Sequence, residues 1–326
     1  MSNGPTLQEL LNDFLAHGRM LRVSPCTLRS YSYNLRSFLK WLEKTWSVTT
    51  ADKLRKKHLQ AWMKHLHSRR TGKGLPLKAG TINVTNDKVR GFLRHLVARG
   101  CLHRSCLEMI EYLKMPRLLP GSVLTHAQVR RLLSHIDTSK PEGLRDRAML
   151  ELLYSTGVRA GELLEINLAD VDLRAATARV NGKGNKQRLV PIGKTALRCL
   201  ENYIRAVRPF LTQRSTSGDA APQRDPAQSP LFLTSRGARM PYQRFVQAVH
   251  RHARNAGMEI NVTPHTFRRS CATELIRGGA NIYHVKDLLG HESLETLRHY
   301  TRLTIGDLKK THRKCHPRER DERISG

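Results

Sequence analysis

Thr263-Pro264-His265-Thr266-Phe267-Arg268 begins the stretch on which the reading of this chain turns. Threonine before proline marks a helix start, with proline at the first helical position where its missing N–H costs nothing. The pattern carries that helix to about Arg277. His265 and Arg268, three positions apart, fall on one face. Downstream come Leu289-Gly290-His291 and, after eight intervening residues, Tyr300. Upstream, Thr156-Gly157-Val158-Arg159 adds a second arginine, and Gly182-Lys183-Gly184-Asn185-Lys186 adds lysines in a glycine-flanked turn.

These residue types suit the breaking of a phosphodiester. Charge redistributing on the non-bridging oxygens has to be balanced, something has to attack in line, and the leaving oxygen has to be protonated. The planar fork of arginine contacts two phosphate oxygens at once and never loses its proton, so Arg159 and Arg268 are candidates for the first task. Taken singly, each would read as a surface or DNA-backbone arginine. His265 can exchange a proton near neutral pH, and His291, after a glycine placed to end a helix, can donate to phosphate. A lysine at the tip of the glycine-rich turn can reach a groove and protonate a departing oxygen. Tyr300 is one of eight tyrosines and the bare residues do not single it out. A metal site is not indicated, since neither His-Glu-x-x-His nor a carboxylate at ligand spacing accompanies the histidines.

Composition points to a polyanionic partner. Fifty-seven Lys and Arg against 27 Asp and Glu give a net charge of +30, and binding by such a chain rests on phosphate neutralisation and weakens with salt. The charge is evenly divided: 22 basic against 7 acidic residues in 1–120, and 35 against 20 in 121–326. A ribosomal or chromatin-type basic protein would share the charge but has no need of long apolar-periodic helices. No uninterrupted apolar run reaches the ~18 residues of a membrane span, and Met1-Ser2-Asn3-Gly4-Pro5 does not open a signal peptide. The six cysteines are scattered without a Cys-x-x-Cys pair. Cys101-x-His103-x-x-Cys106 has no second pair at finger spacing, so reduced thiols in a cytoplasmic protein are expected.

The first ~115 residues read as all-helical. A capping box at Thr6-Leu7-Gln8-Glu9 opens a helix to about Ala16, and Ser24-Pro25 opens a second with Leu28, Tyr31, Leu35, Phe38, Leu39 and Leu42 on one stripe. A third is expected from Lys53 to about Ser68 with Leu54, Leu59, Met63 and Leu66 inward. A fourth is expected over Ala79–Ala98, and a short fifth over Arg104–Leu113. Residues 116–122, with two prolines and a glycine, read as a linker. Thr125-His126-Ala127-Gln128 is another capping box, and helices are expected at about Ala127–His135 and Leu144–Ser155, the latter ended by Gly157. Asp172 to Ile192 reads as a β-hairpin. Helices follow at about Lys194–Val207, Gln243–Ala256, Pro264–Arg277, Tyr283–Leu288 and Leu294–Tyr300, and Gln213–Pro230 reads as a disordered polar loop.

Thr-Gly-Val-Arg at 156–159, Gly-Lys-Gly-Asn-Lys-Gln-Arg at 182–188, Pro-His-x-x-Arg at 264–268, Leu-Gly-His at 289–291 and the terminal Tyr300 occur in the order of the tyrosine recombinases, also called the phage integrase family. The resemblance covers nearly the whole chain. It implies a mainly α fold with a small β-hairpin or sheet: a helical, DNA-clamping core-binding bundle over 1–115, the linker, and a catalytic domain over 123–326. It implies that Arg159, Lys183, His265, Arg268, His291 and Tyr300 are catalytic, with Tyr300 as nucleophile, and that Glu162 is the accessory acid orienting Arg159. Lys186, Arg188, Lys56 and Lys57 are expected on DNA. Strands would be cut through a 3′-phosphotyrosyl link and rejoined within a homotetramer or heterotetramer on double-stranded DNA carrying inverted-repeat core sites. No metal, ATP or other cofactor is implied, and a bacterial cytoplasmic setting follows. Of the segment after the nucleophile, Leu303–Leu308 would pack on a neighbouring subunit, with the basic Arg313–Arg323 stretch staying mobile. The polar loop is longer than the family pattern suggests. With no arm-binding domain ahead of the bundle, a simple Xer-type or mobile-element recombinase is expected. A type IB topoisomerase shares the tyrosine chemistry but would relax supercoils without exchanging strands between duplexes, and a non-catalytic DNA-binding protein would have a broken set of site residues.

Overall fold

The computed structural model describes residues 4–72, 74–114, 123–182, 186–215 and 228–290. The chain divides into two compact units, Met1–Leu118 and Leu119–Gly326. Residues 116–122, expected as a linker, and the helix and tail expected beyond residue 290 lie outside the described residues.

The first unit is helical: α1 (Leu7–Met20), α2 (Pro25–Trp46), α3 (Lys56–Ser68) and α4 (Ala79–Ala98), with 3-10 turns at Ala51–Lys53 and Arg104–Met109. The Thr6 hydroxyl accepts from the Glu9 N–H while the Glu9 carboxylate accepts from the Thr6 N–H, closing the capping box. Two orphan donors of the helix start are thereby satisfied. α1 continues a turn beyond Ala16 because Gly18 sits against α2, where a Cβ would come within 2.7 Å of Leu28. Leu11, Leu35, Phe38, Leu42, Phe92 and Leu93 form the core. Trp62, which the periodic reading passed over, is fully buried and meets Phe38 edge-on at 5.0 Å. Burying large side chains of this kind contributes ~1.5–3 kcal/mol apiece, which is what holds a short-looped bundle together.

Two expected helices differ. α3 starts at Lys56, not Lys53, because the 3-10 turn leaves Leu54 extended, with φ −73° and ψ 125°, on its way into the core. Beyond Met109 the chain is also extended. The Asn83 side chain donates to the Leu113 carbonyl and accepts from its N–H, and Asn86 donates to the Glu111 carbonyl. Side chains of α4 thus take the backbone groups that a helix to Leu113 would have paired internally.

The second unit runs α5 (His126–Ser134), α6 (Pro141–Thr156), α7 (Ala160–Glu165), β1 (Val171–Asp172), β2 (Thr177–Asn181), β3 (Gln187–Pro191), α8 (Lys194–Ala206), α9 (Arg208–Ser215), α10 (Tyr242–Asn255), α11 (Pro264–Arg277) and α12 (Ile282–Leu289). The expected hairpin is the larger part of a three-stranded antiparallel sheet in the order β1-β2-β3, with Val180 opposite Arg188. α6 is the central helix, packed against α8 and α11 and buried along Ala148–Leu153 on all sides. A helix buried all round belongs inside a domain, and its charged residues there are paired: Arg145 with Asp146 and Glu151 with Arg147. The loop expected over Gln213–Pro230 is ordered at both ends. α9 extends to Ser215, the Leu168 N–H donates to the Ser229 carbonyl, and the buried Arg208 donates to Ser229 Oγ and the Pro230 carbonyl. Residues 216–227, its middle, lie outside the described residues. Among the described residues no helix is long and apolar enough to cross a membrane.

Candidate active site

The site forms where three elements meet the C-terminal end of α12. α6 ends at Gly157 in the left-handed conformation, φ 61°, its N–H returning to the Leu153 carbonyl. Glycine is required there twice over, by the positive φ and because a Cβ would lie 2.5 Å from Leu289. The chain then turns through buried Val158 and places Arg159 at the N-cap of α7. Glu162 occupies the third position of that helix, so its carboxylate reaches back. Oε2 accepts from the Arg159 N–H at 2.9 Å and Oε1 from the Arg159 guanidinium at 2.7 Å. A capping interaction and an ion pair on one carboxylate fix the arginine's direction.

Arg268 projects from the second turn of α11 and is 4% exposed. Its two terminal nitrogens donate to the carbonyls of Gly157 and Leu289, each at 2.7 Å. Arg188 reaches in from β3. Its Nε donates to the Leu288 carbonyl at 3.1 Å and its terminal nitrogens to both oxygens of Glu162, at 3.2 and 2.7 Å. Arg159 Nη2 donates to the Gly290 carbonyl at 3.1 Å. Leu288, Leu289 and Gly290 therefore each hand their carbonyl to a different arginine. The last carbonyls of a helix lack intrahelical partners and form the negative end of its dipole, so cations gather there readily.

Three guanidinium groups, two of them on the one carboxylate of Glu162, leave the site strongly cationic. Burial works against ionisation of Glu162, but hydrogen bonds from Arg188 and Arg159 outweigh it and hold its pKa below the ordinary value. His265 stands at the head of α11 and is exposed at the surface. Partial desolvation, then the charges of Arg268, Arg269 and Arg159, hold its pKa below the ordinary histidine value. It is therefore neutral at pH 7 and can accept a proton. Among the described residues no group of three or more His, Cys, Asp or Glu side chains is placed to hold a metal ion.

Of the residues singled out in the sequence, the structure brings Arg159, Glu162 and Arg268 together, with His265 in the first turn of α11, three residues before Arg268. Lys183, His291 and Tyr300 lie outside the described residues. Their neighbours border the site: a Cβ on Gly182 would lie 3.4 Å from Arg188 and 3.9 Å from Glu162, and Gly290 gives its carbonyl to Arg159. Lys186 is exposed, as are Lys56 and Lys57 at the head of α3, where Lys57 Nζ lies 5.6 Å over the Trp46 ring. Arg188, also expected on DNA, turns its guanidinium inward. Its side chain is only 15% exposed and its guanidinium faces Glu162. The signal was in the strand: successive side chains alternate faces, and Val190, two residues on, is fully buried. The carbonyls of Gly157 and of residues 288–290 have no signature in sequence.

The chain belongs to the phage integrase family of tyrosine-type site-specific recombinases. Residues 122–305 match the phage integrase family and residues 11–100 the phage integrase N-terminal SAM-like domain. The chain is 33% identical to tyrosine recombinase XerD of Listeria innocua over 314 residues, covering 96% of this chain and 100% of the relative. It is 35% identical to tyrosine recombinase XerD of Mycobacterium tuberculosis over 321 residues, covering 97% and 99%. The fold is shared with the XerH site-specific recombinase bound to palindromic difH substrate, at TM-score 0.68 and 20% identity over 90% of this chain and 80% of that one. A lambda integrase dimer bound to a COC′ core site gives 0.66 and 17% over 91% and 95%.

Proposed function

We propose that this recombinase cuts and rejoins double-stranded DNA at inverted-repeat core sites, with Tyr300 attacking the scissile phosphate to form a 3′-phosphotyrosyl link. Arg159 and Arg268 bind the non-bridging oxygens, where charge grows in the transition state. His265, neutral at working pH, takes part in proton transfer, and His291 donates to the phosphate. Lys183 protonates the departing 5′ oxygen. Glu162 holds Arg159 in place. Residues 1–115 clamp the duplex, residues 116–122 link them to the catalytic domain, and Lys186, Lys56 and Lys57 contact backbone phosphates. Four copies, identical or of two kinds, assemble on DNA in the bacterial cytoplasm, with Leu303–Leu308 docking between neighbours.

The observation that supports these roles best is the convergence of Arg159 and Arg268 on Leu289 and Gly290. Each phosphate-binding candidate thus bonds a carbonyl of one of the two residues that precede His291. The test is a nicked suicide substrate, in which loss of the short flanking strand blocks religation. Wild type should accumulate a covalent protein–DNA adduct through the 3′ phosphate, and Tyr300→Phe should bind the half-site and form none. Adduct formation by the Phe variant would remove Tyr300 from the nucleophile's role.

A further inference from the structure

We infer that Arg188 is a positioning residue for strand cleavage: it holds Glu162, and through it Arg159, while anchoring the end of α12 from which the tyrosine-bearing segment departs. The inference rests on the recombinase reading above. It differs from a phosphate-contact role in what the guanidinium is doing.

Each oxygen of Glu162 is shared between Arg159 and Arg188. Oε1 accepts from the guanidinium of both, and Oε2 accepts from the Arg159 backbone N–H and from Arg188 Nη2. A carboxylate held this way from two sides cannot swing, so the arginine it directs cannot either. Charge points the same way. Glu162 paired with Arg159 alone would largely neutralise the arginine meant for phosphate. Arg188 restores one positive charge to the group, so that orientation is gained without loss of attraction.

The remaining nitrogen of Arg188, Nε, donates to the Leu288 carbonyl, two residues before the chain passes beyond Gly290. Gly290 is left-handed with φ 64°, and a Cβ there would lie 2.9 Å from the Arg188 guanidinium carbon. The turn that launches the downstream segment is thus packed directly on this side chain. Exposure separates the arginines: the Arg159 side chain is 39% exposed and open to a ligand, whereas that of Arg188 is 15% exposed with its donors directed inward. Arg159 can exchange a carbonyl for a phosphate oxygen. Arg188 stays behind and keeps the frame.

Arg188→Lys keeps the charge and loses the fork. At saturating half-site DNA it should form the adduct on the order of 10²-fold more slowly, the size expected when a reacting group is misplaced by about 1 Å. The salt slope is read on Arg188→Met, which removes the charge: its affinity should fall with salt as steeply as wild type, because no phosphate contact is lost. A second measurement is the double-mutant cycle with Glu162→Gln. Arg188→Met should cost much less in that background than alone, since its charge and its partner go together. If Arg188→Met fails to fold, Arg188→Lys and Arg188→Lys/Glu162→Gln carry the same comparison. A salt slope flatter by about 0.9, with binding and cleavage falling together, would mean a phosphate contact and overturn the inference. So would unchanged cleavage, or strictly additive losses. If wild type itself forms no adduct on any half-site, the recombinase reading fails instead, and the two failures are told apart.

Discussion

Residues 1–120 and 121–326 carry the same net charge, +15 each, from 22 against 7 and 35 against 20 charged residues, yet the two parts place it differently. In the first unit the described lysines and arginines lie at or near the surface, and His58 and the Cys106 thiol are its buried ionisable groups among the described residues. The second unit buries Arg145, Asp146, Glu151, Glu162, Arg208, His252 and Arg268. Surface cations are free to meet a polyanion at any point of its backbone. Buried ones are fixed by carboxylates and carbonyls and can address only one point. Net charge therefore reports affinity for nucleic acid and says nothing about where chemistry happens. Fixed charge is what a transition state responds to, because it needs no reorganisation when charge develops.

The sharpest way to break this comparison is at Arg268 and Arg159. Lysine at either position keeps the charge but cannot bridge two oxygens. Adduct formation should fall by on the order of 10²–10³, as for loss of one transition-state donor, while half-site affinity changes far less. Equal losses in a filter-binding and a cleavage assay would make these arginines ordinary backbone contacts and erase the contrast.

A smaller effect is expected from pH. His265 has its folded pKa held below the ordinary 6.5 by desolvation and by Arg268, Arg269 and Arg159. A neutral form in use should therefore persist as pH falls through 6.5, with adduct formation declining only below it. Glu162 also has its pKa held below the ordinary 4.5. Its stabilising contribution is full above 4.5 and is lost as pH falls through the folded value, and Glu162→Gln should flatten that acid limb of thermal stability. A rate that already falls between pH 7.5 and 6.5 would mean that His265 does not work as the neutral base.

The smallest effect belongs to the first unit. Lys56→Ala and Lys57→Ala should each lower the slope of log affinity against log salt by about 0.9, with cleavage at saturating DNA unchanged. Binding titrations over a salt series check this. An altered cleavage rate at saturation would show that surface cations also reach the chemistry.

Much of this molecule is legible from residues alone. α4 and α11 have the expected bounds, because strong periodicity and, for α11, a Thr-Pro start leave little choice. Local rules fail where a tertiary partner takes over a backbone group. Asn83 and Asn86 draw out the segment after Met109, and Ser229 and Pro230 are tied to Arg208 and Leu168. Arg188 shows the same limit within the site. Residue type and motif order suggested a DNA contact, and only the approach of β3 to α12 reveals a partner in Glu162.

The sequence by itself determined most of the helices and the β2–β3 hairpin, the division of charge, and the set of arginine, histidine, lysine and tyrosine side chains in their order. Those follow from spacing and from the chemistry of each side chain, which are local properties. Tertiary structure alone decided that Arg188, Arg268 and Arg159 meet three successive carbonyls at the end of one helix. Backbone carbonyls are identical in every residue. Which of them lies within reach of a guanidinium depends on packing between segments more than 100 residues apart in the case of Arg268 and Gly157.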